Sequence, residues 1–232
     1  MGYENLIRDL KKKKELQDLD NSFIEARIRE YLQDRSIPSN KKSKEYKKIF
    51  KDLRKLLRKT YGMFRVIQET RDINFYKLIF DKINTKSILD LGCGLAPLEY
   101  AELTNAKIYA TDISNEAIKR IVRYFKENNV KGKAFVFNLV DQDLSKLPKV
   151  ELCLMLKLLE SLELIKRNIS KTILKQVNSK YFVVSFAKIA LGKKIAIRKS
   201  GRAWFRRILK ELNYNYEVFD YKDEIVFLIK KV

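Results

Sequence analysis

The stretch Ile88-Leu89-Asp90-Leu91-Gly92-Cys93-Gly94 decides the fold. Ser87 to Leu91 is a short apolar run bounded by glycines, which reads as a buried strand. Two glycines one residue apart let the backbone turn sharply and approach a ligand closely. Residues 97–104 then suit a short helix, and Lys107 to Asp112 is a second strand. An acidic side chain thus ends a strand about twenty residues after the glycine loop, where it can accept hydrogen bonds from ribose hydroxyls.

Outward from this unit the pattern continues. Ser114 is placed to cap a helix running to about Asn128, with Glu116 near its positive end. Ala134–Phe137, Leu152–Leu156 and Tyr181–Phe186 read as strands three to five, with helices between Leu156 and about Val177. Gly201 to Leu212 reads as a helix. Tyr214–Phe219 and Ile225–Ile229 read as closing strands joined at Lys222-Asp223. Alternating strands and helices imply a parallel α/β sheet with right-handed crossovers, and the terminal hairpin adds an antiparallel strand. Upstream, residues 1–85 read as a helical domain, set apart from an α/β domain at 86–232. Leu6, Leu10, Leu16 and Leu19 make a thin apolar stripe. Asp20, Asn21 and Ser22 offer N-cap chemistry for a helix from Phe23 to Gln33. Ile37-Pro38-Ser39-Asn40 is a break, Lys41 to Tyr61 repeats at helical spacing, and a further helix spans about Asp72 to Ile83.

Two nucleotide-type cofactors compete for the loop. A dinucleotide site wants a third glycine where this chain has Pro97, and Asp90 would repel a pyrophosphate. The same charge suits the cationic amino group and sulfonium of S-adenosylmethionine (SAM). Asp90, Gly92, Gly94 and Asp112 therefore favour SAM over NAD(P) or a purely structural turn. Asn138 and Leu139, after the third strand, are candidates for the adenine pocket; Asn138 is equally readable as an ordinary strand-end residue. Ile113 and Leu156 are further candidate cofactor contacts. The element order matches the seven-stranded, Rossmann-like sheet of class I SAM-dependent methyltransferases.

Fifty Lys and Arg face 29 Asp and Glu, a formal net charge of +21. That surplus attracts polyanions, nucleic acid first and an anionic membrane surface second. No apolar run approaches the ~18 residues of a spanning helix. The polar N-terminus and two cysteines in apolar surroundings, Cys93 and Cys153, read as a reduced, cytoplasmic protein with no metal site and no membrane association. Histidine is absent, which removes imidazole ligands and Ser-His or Cys-His nucleophile pairs. Two segments concentrate the positive charge. Residues 41–65 carry eleven Lys/Arg against Glu45 and Asp52, and residues 188–210 carry nine with no acid. Lys47, Lys48, Lys51, Arg54, Lys55 and Arg58 from the first are candidate RNA contacts. From the second come Lys188, Lys193, Lys194, Arg198, Lys199, Arg202 and Arg206, in a loop that Gly192 and Gly201 leave free to close on a substrate. Such residues would position RNA through phosphates without reading its sequence. Trp204 reads as a packing residue.

A series of motifs carries a family resemblance. Thr70-Arg71-Asp72 and Phe75-Tyr76-x-x-Ile79-Phe80 precede Ile88 to Leu98. Leu154-Met155-Leu156-Lys157-Leu158-Leu159, Asn178 to Phe186, Ala190-Leu191-Gly192 and Glu224 to Lys230 follow in order. Residues 60 to 232 resemble the 16S ribosomal RNA methyltransferases that confer aminoglycoside resistance by methylating N7 of a guanine in the decoding region. The resemblance implies SAM as cofactor and a helical N-terminal domain that docks a monomeric enzyme on the small ribosomal subunit. It also implies Arg71 on the SAM carboxylate and Lys157 lining the active site. Three features depart from the family: no histidine before the Thr-Arg motif, Ala96-Pro97 for Asn-Pro, and Glu160 for a proline. With a Lys- and Ile-rich composition they point to a distant, archaeal-type branch with a housekeeping role. Guanine N7 carries a free lone pair, so no base is required for attack. The motif used by amine methylases is absent at Lys157-Leu-Leu-Glu160, although Glu160 as a proton acceptor keeps a cytosine N4 target open. Transfer RNA as substrate, and a non-catalytic ribosome-assembly factor, are the remaining alternatives.

Overall fold

The computed structural model describes residues 3–33, 35–58, 71–188 and 202–231. The chain divides into two compact units, residues 1–69 with 113–116, and residues 70–112 with 117–232.

The first unit is helical: α1 (Glu4–Lys11), α2 (Asn21–Leu32) and α3 (Lys44–Leu57). The leucine stripe does not continue as one helix to Leu19. Past Lys11 the chain makes tight turns, with Lys13 N–H bonded to Leu10 O and Leu16 N–H to Lys13 O, and both Leu16 and Leu19 still reach full burial. Asp20 caps α2 by accepting the Ser22 and Phe23 N–H groups at 2.9 and 3.3 Å. Ser43 caps α3 through the Tyr46 N–H. Tyr46, Ile49, Leu53 and Leu57 bury one face of α3, as their spacing requires. Polar ties fasten α3 to its neighbours: Tyr46 to Asp9 at 2.8 Å, Arg54 to Glu15 at 2.8 Å and Tyr31 to Asp52 at 2.7 Å.

The second unit holds α4 (Ile73–Lys82), β1 (Ser87–Leu91), α5 (Pro97–Tyr100), β2 (Lys107–Asp112), α6 (Asn115–Glu127) from Ala117 onward, and β3 (Gly132–Val136). It continues through β4 (Val150–Leu156), α7 (Leu159–Ile165), α8 (Ile169–Gln176), β5 (Ser179–Ala187), α9 (Ala203–Glu211), β6 (Asn215–Tyr221) and β7 (Glu224–Lys230). The seven-stranded sheet has the order β3-β2-β1-β4-β5-β7-β6. β7 runs antiparallel to both neighbours, and the pairs from β3 across to β5 are parallel. Strand residues alternate between two cores. Leu89, Cys153, Met155, Phe182, Val184 and Phe227 pack with α7, α8 and α9 on one face. Ile88, Leu152, Leu154, Val183 and Val226 pack with α4, Tyr100 and α6 on the other. The division of the chain falls near residue 70 rather than at 86, because Phe75, Tyr76 and Ile79 of α4 belong to the second core. Trp204 packs edge-on against Phe186 and Phe205. No described helix is long and apolar enough to cross a membrane.

Candidate cofactor and catalytic site

Parallel strands bring their C-terminal ends to one edge of the sheet, and the Gly-x-Gly loop sits there after β1. Gly92 and Gly94 both take left-handed backbone, with φ of 62° and 54°. Cys93 N–H donates to Thr111 O at 3.0 Å, and Gly94 N–H donates to the Asp112 carboxylate at 2.9 Å. The loop and the strand-terminal acid are thus fastened together. A Cβ on Gly94 would meet no atom within 4 Å, whereas one on Gly92 would lie 2.5 Å from Leu158 Cδ1. Gly94→Ala is therefore expected to cost about 1–2 kcal/mol from φ alone, and Gly92→Ala about 1 kcal/mol more because Leu158 must rotate away. Urea unfolding of both variants checks the order; a larger loss at Gly94 would contradict it.

Asp90 is 1% exposed and accepts a hydrogen bond from the Tyr100 hydroxyl at 3.0 Å. Burial pushes its carboxyl up to about 7, with Asp112 and Glu99 adding repulsion and Tyr100 and Arg71 opposing it. Burial also raises the Cys93 and Cys153 thiols well above the usual range, which leaves neither as a nucleophile.

The edge also gathers a buried ionic cluster. Arg71 grips Glu224 with Nε at 3.0 Å and Nη2 at 3.3 Å, while its backbone N–H donates to Glu99 at 3.2 Å. Tyr76 donates to the same Glu99 oxygen at 3.3 Å. Lys157 Nζ lies 3.4 Å from Glu224 Oε1. Burial alone would lower the Arg71 guanidinium, but Glu224 and Tyr76 raise it overall. Lys157 has φ of 55°, and its N–H donates to Ser185 O and Oγ at 3.0 and 3.1 Å. A lysine in left-handed backbone costs of order 1 kcal/mol and persists where neighbours enforce it, most often at functional sites. Sequence reasoning placed Arg71 and Lys157 here but missed Glu224, Glu99, Tyr76 and Tyr100. Glu224 was legible in one respect: it opens the last strand directly after the hairpin turn, which returns it to the same edge opposite Ala187.

Other expectations fare differently. The Asn138 side chain is engaged locally: its Oδ1 accepts the Val140 and Asp141 N–H groups at 3.0 and 3.3 Å, and its Nδ2 donates one hydrogen to Asp141 at 2.7 Å. It shapes the loop after β3. Leu139 is buried in the core beside it, and Leu156 is partly buried at the end of β4. Ile113 opens the segment 113–116, and its carbonyl accepts the Asp20 N–H at 3.0 Å. Glu160 pairs with Arg202 at 3.0 Å, and burial raises its carboxyl.

Arg202 is corrected as an RNA contact. Its side chain is 4% exposed, it donates to Ala187 O at 2.9 Å, and its guanidinium lies over the Phe186 ring. A phosphate cannot reach it without breaking those contacts. Lys188 is held by Asp220 at 3.0 Å and Lys222 O at 2.9 Å. Arg54 is held by Glu15, whereas Lys47, Lys48, Lys51, Lys55, Arg58 and Arg206 are exposed. Lys193, Lys194, Arg198 and Lys199, with Gly192 and Gly201, lie outside the described residues. Among the described residues no group of His, Cys, Asp and Glu is arranged to hold a metal ion.

A sheet of this order with one reversed strand, a Gly-x-Gly loop after β1 and an acid ending β2 define the class I SAM-dependent methyltransferase fold. Within that class the chain belongs to the ribosomal RNA methyltransferase (FmrO) family, which its residues 56–213 match. It is 29% identical over 163 residues to a 16S rRNA (guanine(1405)-N(7))-methyltransferase of Serratia marcescens. That alignment takes in 67% of this chain and 62% of the relative, so the chain spans less than two thirds of the relative's length. The 16S rRNA methyltransferase RmtF, solved in complex with S-adenosyl-L-homocysteine, has a TM-score of 0.75 at 18% identity, covering 99% of this chain and 98% of its own. An rRNA methylase from Escherichia coli has a TM-score of 0.75 at 17% identity, with all of both chains covered. These two likenesses establish the fold.

Proposed function

We propose that this chain is a SAM-dependent methyltransferase that modifies N7 of a guanine in 16S rRNA within the small ribosomal subunit. The observation that carries the reading is the family match over residues 56–213, on a chain whose Asp90-to-Gly94 loop and Asp112 are intact. The residues at the sheet edge fit the cofactor. Gly94 leaves an open approach over the loop. Asp90 suits the amino group, Asp112 the ribose hydroxyls, and Arg71 the carboxylate. Bound there, SAM supplies an electrophilic methyl group.

The chain's own contribution is alignment and electrostatics. Methyl transfer is an in-line displacement, which chiefly needs nucleophile and methyl held in register and needs no Lewis acid or metal. N7 needs no proton removed. The lone pair on N7 lets transfer proceed without a proton acceptor, and the Glu160–Arg202 pair is read as a structural tie beside the site. Lys157 faces the same cluster and is assigned to substrate positioning. The exposed lysines of α3 and Arg58 suit phosphate contacts that dock the helical unit on rRNA. The enzyme is read as a monomer working in the cytoplasm, where ribosomal subunits are found.

Tritiated-methyl transfer to 30S subunits, naked 16S rRNA and bulk tRNA, followed by nucleoside mass spectrometry, tests the proposal. N7-methylguanosine from 30S subunits is expected. N4-methylcytidine, or label only in tRNA, would replace the substrate assignment. No transfer to any RNA would favour a non-catalytic binding protein. Asp112→Ala is expected to lower SAM affinity at least ~100-fold in calorimetry, since a charge-assisted bidentate contact is lost; unchanged affinity would remove the cofactor assignment.

A further inference from the structure

Away from the cofactor edge, α9 and the start of β6 form a second cationic surface. A concavity of about 400 Å³ is lined by Arg206, Arg207, Lys210, Asn213, Tyr214 and Tyr216. No carboxylate lines it, and the one acid of α9, Glu211, is drawn to Lys171 at 2.7 Å. The three cations are exposed, and among the described residues none of their side chains is in an ion pair. The Arg206 guanidinium is laid over the rings of Phe227 and Tyr216, 5.2 and 5.9 Å from their centroids. It is therefore held in place before any partner arrives, which reduces the entropy lost on binding. Tyr214 is likewise fixed, by its hydroxyl bond to Leu174 O.

Position matters as much as charge. Arg206 and Lys210 lie four residues apart on one face of α9, ~6 Å along its axis. The helix leads from Arg202, which is buried against Glu160 and Ala187 O near the catalytic edge, toward the opposite end of the sheet, where β6 starts.

We infer that this surface binds the sugar-phosphate backbone of the substrate RNA at a point remote from the methylated base. Arg206 and Lys210, one helical turn apart, meet neighbouring phosphates, and the partly buried Tyr214 and Tyr216 beside them add apolar surface for a ribose. Arg206 and Lys231 already lie over the Tyr216 and Tyr214 rings, so the surface suits backbone phosphates rather than base stacking. The inference takes the identity of the polyanion from the proposed rRNA activity; the surface itself stands on its own geometry.

The test is equilibrium binding of the full chain to 30S subunits and to protein-free 16S rRNA between 50 and 200 mM salt. Arg207→Ala/Lys210→Ala leaves the Arg206 stack intact, and Arg206→Gln is examined separately. The double variant is expected to bind both RNAs about tenfold or more weakly at 100 mM salt, with a salt slope shallower by about 2. Arg206→Gln is expected to flatten it by about 1. Unchanged melting temperature and SAM affinity show that neither variant is misfolded. Unaltered affinity and slope overturn the inference. Loss on 30S subunits with full binding to protein-free 16S rRNA overturns it too, in favour of a ribosomal protein as partner. Absence of methyl transfer by the unaltered protein would fail the proposed activity, while these slopes still decide the surface.

Discussion

Replacing Glu224 by glutamine is expected to destabilise the protein by about 3–5 kcal/mol, because it leaves two buried cations without their shared carboxylate. Arg71 and Lys157 are each 14% exposed and Glu224 is 7% exposed, so water does not take over its role. At ~2–4 °C per kcal/mol for a chain of this size, the melting temperature should fall by roughly 10 °C. Arg71→Gln/Glu224→Gln should lose less than the two single losses combined, with a coupling of about 1–3 kcal/mol between bonded partners. Urea unfolding of the four proteins measures this. A Glu224→Gln variant within about 0.5 kcal/mol of the parent would show that the cluster adds nothing to stability.

Asp90→Asn is expected to act in opposite directions on stability and on cofactor affinity. The folded carboxyl titrates near 7, against 3.8 for an unperturbed aspartate. Below pH 4 both folded and unfolded chains hold the proton, and Asp90 carries no penalty. Between pH 4 and 7 the unfolded chain has released it while the folded chain still holds it, so native stability falls as pH rises. Above 7 the penalty is constant, of order 4 kcal/mol for a shift of this size. Asparagine keeps an acceptor for the Tyr100 hydroxyl and carries no charge. The variant should therefore be more stable than the parent by roughly 2–4 kcal/mol at pH 8, with little difference near pH 4. It should also bind SAM at least ~100-fold more weakly, having lost the charge that meets the cationic donor. In the unaltered protein SAM affinity should fall as pH drops below about 7. Equal stabilisation at both pH values, or an affinity that survives the substitution, would remove Asp90 from the role given to it.

Much of the sheet was legible because buried strands in an α/β fold are short apolar runs with turn residues between them. Ser87–Leu91, Lys107–Asp112 and the terminal hairpin fall where the pattern places them. The third strand was offset: it runs Gly132–Val136 and ends before Phe137, because its residues are only partly buried and its pattern is weak. The N-terminal leucine stripe left the local structure past Lys11 open. Leucines at 6, 10, 16 and 19 all bury, but hydrophobic spacing is satisfied by a helix followed by tight turns as well as by a longer helix.

Within the site, the residues of the cofactor loop were readable from local pattern, Arg71 and Lys157 only through the family resemblance, and Glu224, Glu99, Tyr76 and Tyr100 were not read at all. Asp90, Gly92, Gly94 and Asp112 declare themselves because backbone conformation and charge at that spacing serve one purpose. Asn138 and Arg202 carried the right chemistry at the right place in the chain. Only the tertiary structure showed that their hydrogen-bonding groups are engaged internally, one in a loop and the other with Glu160 and Ala187 O.

By itself, the sequence determined the fold class, the cofactor loop and the strongly positive net charge, since these follow from local periodicity, glycine conformation and composition. The tertiary structure alone decided which charges face solvent and which are paired. Arg71 lies 86 positions before Lys157, and Lys157 lies 67 before Glu224, yet the three share one buried cluster. Their coupling arises because a reversed last strand returns Glu224 to the edge where the parallel strands end, and no pattern read along the chain encodes that distance.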